Sequence, residues 1–249
     1  GIGRSVALAY ARMGMDIVLA ARGQDALEGV AEEIEKMGRR SMVVSCDVSS
    51  GEEVESLAGM VDKAFGQLDI LVNNAGISKR SAFLDYDDDI WLEVIRVNLY
   101  GVYLCTKAFL PMIKNIGTGR IINIASVAGK APVPFNTAYS ASKHGVLGLT
   151  KSLASEIAMT GFPEITVNAI CPYFVETDML SGKNGYVAQM AAVTGKPEHE
   201  IEKSVTGQNL QKRILEPDEI AAMAVYLASD DARGITGQAF NLCGGRIFH

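Results

Sequence analysis

The sequence predicts a doubly wound α/β fold with a parallel sheet, of the Rossmann type, in a single domain. Two observations carry that prediction: short apolar or β-branched runs alternate with helical patterns along the chain, and the chemically distinctive residues stand just after those runs. In an open parallel sheet the carboxyl ends of the strands form the ligand crevice, so this placement and the topology agree.

The predicted strands are Asp16–Ala20, Ser41–Ser45, Asp69–Asn73, Arg120–Ile124, Ile165–Ile170 and Gln238–Leu242. Their near-continuous apolar character suits strands buried on both faces. Helical patterns fill the intervals at Arg4–Met13, Asp25–Met37, Glu52–Phe65, Asp88–Ile113, Ala138–Ala158 and Pro217–Ala228. Between Met179 and Lys212 runs a long polar connection with helical patches at Tyr186–Val193 and Glu198–Val205, and a connection of that length over a pocket is expected to be a lid. No repeat, low-complexity tract or linker divides residues 1–249.

At 249 residues and 48% hydrophobic content the chain fills one sizeable core. A net charge of −6 disfavours nucleic acid or an anionic membrane as partner, and no apolar run reaches membrane-span length. The expected partner is a small molecule. Cys46, Cys105, Cys171 and Cys243 are widely spaced and form no CxxC pair, and His144, His199 and His249 complete no zinc pattern. A cytoplasmic protein without a metal is expected.

The most informative motif is Tyr139-Ser-Ala-Ser-Lys143, with Ser126 thirteen residues upstream of the tyrosine at the end of a predicted strand. On a helix, positions i and i+4 share a face, so phenol and ammonium stand side by side. The expectation is that the cation draws the acidity of Tyr139 toward the working pH, making it a proton donor to a ketone whose oxygen Ser126 holds. A bare YxxxK also fits a buried tyrosine beside a solvated lysine.

Taken together, Gly1-Ile-Gly3, Asn73-Asn-Ala-Gly76, Asn98, Ser126 and Tyr139-xxx-Lys143 resemble the short-chain dehydrogenase/reductase family over essentially the whole chain. Tyr139-SASKHGVLGLTKSLASEIA, Thr166-VNAICPYFVETDM and Asn241-LCGG are most similar to 3-oxoacyl (β-ketoacyl) reductases and aromatic polyketide ketoreductases. Hydroxybutyrate, sugar and cyclic-alcohol dehydrogenases share those stretches.

The resemblance implies a catalytic set of Asn98, Ser126, Tyr139 and Lys143, with Asn98 holding a water of a proton relay behind Lys143. Without the resemblance, Asn98 reads as a helix-interior asparagine that bends the chain. Gly1, Ile2 and Gly3 match the end of a diphosphate loop ahead of a helix N-terminus. The earlier half of that loop and the strand feeding it do not stand before Gly1, so an interruption in the middle of the sheet is expected, and a longer natural chain with it. Asp47 and Val48 resemble the pair at adenine, with a turn or capping role as the simpler reading of Asp47. Asn73, Ala75 and Gly76 resemble the turn against the adenosine ribose, and Lys143 also binds the nicotinamide ribose.

Arg22 stands where enzymes using NAD usually carry an acid, so NADP(H) is expected over NAD(H), a solvated loop cation being the other reading of Arg22. After Pro172 the family's usual glycine is replaced by Tyr173, which narrows the loop from which Val175 and Thr177 reach the nicotinamide carboxamide. The resemblance also implies a homotetramer built on Asp88–Ile113 and Ala138–Ala158. A non-catalytic dinucleotide sensor or scaffold subunit is the rival of another class.

Overall fold

A computed structural model describes residues 1–249. Six parallel strands, β1 (Ile17–Ala21), β2 (Ser41–Ser45), β3 (Ile70–Asn73), β4 (Gly119–Ile124), β5 (Ile165–Pro172) and β6 (Ala239–Leu242), alternate with helices. The helices are α1 (Ile2–Arg12), α2 (Gln24–Lys36), α3 (Gly51–Phe65), α4 (Asp88–Ile95), α5 (Gly101–Ile116), α6 (Thr137–Met159), α7 (Asp178–Ser181), α8 (Tyr186–Thr194), α9 (Glu198–Gly207) and α10 (Pro217–Ala228).

The strands form two ladders, β1–β2 and β3–β4–β5–β6, so the parallel sheet is interrupted between β1 and β3, where the sequence places its interruption. In the larger ladder Ile121 pairs with Val167 and Ile170 with Phe240. Every residue of β4 and β5 is buried, which is why neither shows polar alternation.

One face of the sheet is covered by α1, α2 and α10, packed around Leu8, Ile34, Ile122, Ile170 and Ile220. The opposite face carries α3, α5 and α6, packed in three smaller clusters around Val54 and Phe109, around Val146 and Cys171, and around Ile113 and Ile157. The first cluster joins side chains of β1 to those of β4 and β5, so packing spans the interruption that hydrogen bonding does not.

Local chemistry sets the helix ends. The Ser50 hydroxyl accepts from the Glu53 amide at the start of α3, and Gly66 closes it in the left-handed region at φ 70°. The Asp87 carboxylate caps α4 by accepting from the Ile90 amide at 3.0 Å. Pro217 opens α10, where its missing N–H costs nothing.

The helix expected over Asp88–Ile113 is two helices joined by a π turn, Arg96–Tyr100, in which the Gly101 amide bonds the carbonyl of Arg96. The long connection after β5 carries α7, α8 and α9, with Val187, Ile201 and Val205 turned inward. No helix is long and apolar enough to cross a membrane, and all four cysteines are buried free thiols.

Candidate active site

Ser126 follows the last residues of β4 and takes an extended conformation, φ −174° and ψ 159°, that turns the chain into a short 3-10 segment, Val127–Gly129. Its hydroxyl accepts from the Ala128 amide at 3.1 Å and donates only a long bond, 3.5 Å, to the Pro172 carbonyl. Gly129 lets this segment lie on α6: a Cβ there would sit 2.7 Å from the Lys143 carbonyl oxygen. The close approach puts the Ser126 hydroxyl among the groups acting on Tyr139.

Tyr139 and Lys143 are one turn apart on α6. Lys143 is 4% exposed, and its ammonium donates to the Ile124 carbonyl at 2.8 Å while lying 5.6 Å from the centre of the Tyr139 ring. Burial brings the Lys143 ammonium down to about 8. Burial also pushes the Tyr139 phenol up, against smaller opposing effects of hydrogen bonding with Ser126 and of the Arg80 charge.

The expected gain in Tyr139 acidity under Lys143 is therefore not what this arrangement produces. The ammonium is turned toward Ile124, and desolvation of the phenolate outweighs the cations around it. Tyr139 keeps its proton at neutral pH, the state a donor requires.

Asn98 is completely buried inside the π turn. Its amide oxygen accepts from the Ile77 N–H at 2.8 Å, and its nitrogen donates to the Ile77 carbonyl at 2.9 Å and to Ser142 Oγ at 3.2 Å. Ser142 Oγ in turn donates to the Tyr139 carbonyl at 2.7 Å. The Asn98 side chain thus clamps the segment after β3 to the helix that carries Tyr139.

Of the predicted dinucleotide residues, Gly1, Ile2 and Gly3 form the N-terminus of α1, with Thr177 beside Gly1. Gly1 caps that helix without a side chain and faces the Thr177 methyl, which would lie 3.7 Å from a Cβ at Gly1. A Cβ at Gly3 would stand 2.6 Å from Asn74 Nδ2. Ile2 packs against the cluster that carries α1. Gly76 borders the Lys143 ammonium, 3.6 Å from where its Cβ would be, and the neighbouring Ala75 is exposed.

Asn73 does not face this cleft. Its amide is buried and donates to Thr106 Oγ1 at 3.1 Å and to Asn123 Oδ1 at 2.9 Å, tying β3 to α5 and β4. Asn74, which the sequence reading passed over, is the member of the pair that reaches α1; the doubled asparagine was the available signal.

Asp47 has the turn role foreseen as its simpler reading, accepting from the Ser49 amide and hydroxyl at 2.9 and 2.7 Å. Those bonds hold its carboxyl below the ordinary range, with a smaller contribution from the Arg22 charge. Arg22 is exposed just beyond β1 and takes part in none of the four ion pairs. Val48 packs against Gly101, where a Cβ would come within 2.8 Å. Pro172 ends β5, and Val175, 5% exposed, sends its side chain into the core, leaving only its backbone for the cleft.

Around Arg80, whose charge also acts on Tyr139, stands an aromatic wall: Tyr173 and Phe174 have ring centres 4.3 Å apart, and Phe174 meets Tyr186 of α8 edge-on at 4.5 Å. Tyr173 donates to Gln208 Oε1 at 2.6 Å, so the residue replacing glycine ties the post-β5 loop to the end of α9. Arg80, which the sequence reading did not single out, stacks on Tyr186 at 4.4 Å.

Residues 1–246 match the family model described as enoyl-(acyl carrier protein) reductase. A Streptomyces coelicolor protein with a provisional ketoacyl reductase name is 40% identical over 98% of this chain and 92% of its own length. A 3-oxoacyl-[acyl-carrier-protein] reductase of Synechocystis is 38% identical over 99% of this chain and 93% of its own. The solved structure of a single-residue variant of actinorhodin polyketide ketoreductase with NADPH superimposes with a TM-score of 0.92 at 38% identity, covering 99% of this chain and 93% of that one.

Proposed function

This chain belongs to the short-chain dehydrogenase/reductase family and is an oxidoreductase of the ketone–alcohol couple; we propose that it reduces a ketone with NADPH, Tyr139 supplying the proton. The observation that carries this reading is the meeting of Ser126, Tyr139 and Lys143 at the end of β4, with a protonated phenol at its centre. NADPH, when bound, supplies the hydride.

Tyr139 gives its hydroxyl proton to the carbonyl oxygen as negative charge develops there. The Ser126 hydroxyl, whose donor is engaged only at 3.5 Å, turns to hydrogen-bond the same oxygen. Lys143 is held by Ile124 beside the ring and stabilises charge left on the phenol. The N-terminus of α1 with Gly1, Ile2, Gly3 and Thr177 fits a diphosphate, and a Cβ at Gly3 would run into Asn74 Nδ2 at 2.6 Å.

Free Arg22 beyond β1 supports NADP(H) over NAD(H), as does the NADPH in the similar ketoreductase structure. The relatives' names suggest a 3-oxoacyl thioester as substrate, and α7 to α9 serve as its lid within one domain. Exposed Tyr100 and Tyr103, stacked at 5.7 Å on the π turn and α5, suit a subunit contact in a homotetramer. A dinucleotide sensor has no use for an ammonium that burial makes this costly.

The test is Tyr139→Phe assayed with NADPH against a 3-oxoacyl thioester and, in parallel, an enoyl thioester. Ketone turnover should fall about 10²- to 10⁴-fold with NADPH affinity kept. Unchanged ketone turnover, or turnover of the enoyl thioester alone, removes the proposal.

A further inference from the structure

Arg80 is a largely buried cation with no carboxylate beside it. It stands in the segment after β3, belongs to none of the four ion pairs, and the ionisable groups that bear on it are Tyr186, Tyr139, Tyr86 and Tyr173. A guanidinium cannot shed its charge as a lysine can, so burying it without a counter-charge is costly.

What holds it is weak for a buried charge. The plane lies on the Tyr186 ring at 4.4 Å, and Nη1 makes long contacts to the Pro134 carbonyl, 3.4 Å, and to Met190 Sδ, 3.9 Å. With the Asn136 nitrogen donating to the Lys79 carbonyl, the Asn136 oxygen accepts from Arg80 Nη2 at 3.2 Å. Nε is buried without any partner. The Nε–Nη2 edge, the fork that matches a carboxylate, is thus half unsatisfied, and the guanidinium shares its surroundings with the phenol that protonates the substrate.

We propose that Arg80 receives a carboxylate of the substrate, so that the chain prefers ketones carrying a free acid group, such as a 3-oxoacyl chain with a second, unesterified carboxyl. This rests on the ketone-reducing reading of Tyr139 and narrows it. The lid takes part in the selection: α8 supplies Tyr186 and Met190 to the guanidinium and donates from Gln189 Nε2 to the Ser78 carbonyl at 3.1 Å, so the receptor forms where lid and post-β3 segment meet.

The experiment compares ω-carboxylated 3-oxoacyl thioesters with their methyl esters over a series of chain lengths. At the best length the wild-type kcat/KM should favour the acid at least about tenfold, and Arg80→Gln should lower the acid about 10- to 100-fold while leaving the ester within about threefold. Arg80→Lys should recover part of the loss, since charge without the fork remains. Equal wild-type rates for acid and ester at every length overturn the proposal even if Arg80→Gln does not fold. An equal loss on acid and ester also overturns it, because Arg80 would then act on Tyr139 or on the seating of the lid alone. Dissociation constants measured on Tyr139→Phe read the acid preference without turnover. Absent reduction of either ketone by the wild type counts against the ketone-reducing reading, while equal binding of acid and ester by Tyr139→Phe counts against Arg80.

Discussion

The Lys143 ammonium lies 5.6 Å from the centre of the Tyr139 ring and spends its 2.8 Å hydrogen bond on the Ile124 carbonyl. Lysine and tyrosine are neighbours by helix geometry, yet burial, acting on each separately, decides their protonation.

Lys143 should have opposite effects on stability and on activity. Its pKa of about 8 lies below the ordinary 10.5, so between those values the unfolded chain holds a proton that the folded chain does not, and stability rises with pH there. Below pH 8 the full penalty is present, up to about 3 kcal/mol from that shift. Lys143→Met should therefore melt a few degrees higher at pH 7, with the gain shrinking toward pH 10.5, and should lose turnover. Wild-type turnover should fall as pH rises through about 8. Melting curves and pH–rate profiles check both; a lower melting temperature for Lys143→Met at pH 7 contradicts the burial argument.

Arg22→Asp should shift cofactor preference. A carboxylate in place of the guanidinium repels a 2′-phosphate and accepts from a 2′-hydroxyl, so the NADPH-to-NADH ratio of kcat/KM should drop about tenfold or more. A ratio that stays put makes Arg22 a solvated loop cation.

Gly129→Ala should impair catalysis from outside the cleft. The new Cβ would meet the Lys143 carbonyl oxygen at 2.7 Å and its carbon at 2.9 Å, backbone atoms of a long helix that cannot move alone. The displacement of α6 should cost on the order of 10²-fold in kcat and about 1–3 kcal/mol of stability. Wild-type kcat in a folded variant would show that β4 and α6 do not meet this closely.

Asn123→Ala tests the buried polar chain. It removes the acceptor of Asn73 Nδ2 and the donor to Thr150 Oγ1, at 2.9 Å each, so denaturant unfolding should show a loss of about 2–3 kcal/mol. NADPH affinity of the folded variant should stay within about threefold, because the chain braces β3, β4 and α6 without entering the cleft. A tenfold weaker Kd would place Asn73 in the site after all.

The strands were legible because burial on both faces leaves unbroken apolar runs, and their ends were read to within about two residues. The Tyr139–Lys143 pair was legible because helical spacing alone sets it. The π turn was not: Arg96-Val-Asn-Leu-Tyr100 has no proline or glycine, and the extra residue follows from Asn98 bonding Ile77 across the fold. Consecutive residues at a strand end point oppositely, so the doubled asparagine could not say which member faces the core. Arg80 sits in a polar stretch, and its burial comes from Pro134, Tyr186 and Met190, far away in sequence.

The interruption between β1 and β3 has a consequence for hydrogen exchange. Ile17 donates to Arg40 and Cys46 donates to the Ala21 carbonyl, so alternation along β1 aims the Val18 and Ala20 amides away from β2. On β3 the Asp69 carbonyl faces β4, which aims the Ile70 and Val72 amides the other way. The amides of β4, by contrast, are locked between β3 and β5. Those of Ile121 and Ile122 should therefore be among the last replaced by deuterium, the four-stranded ladder staying closed while outer segments open.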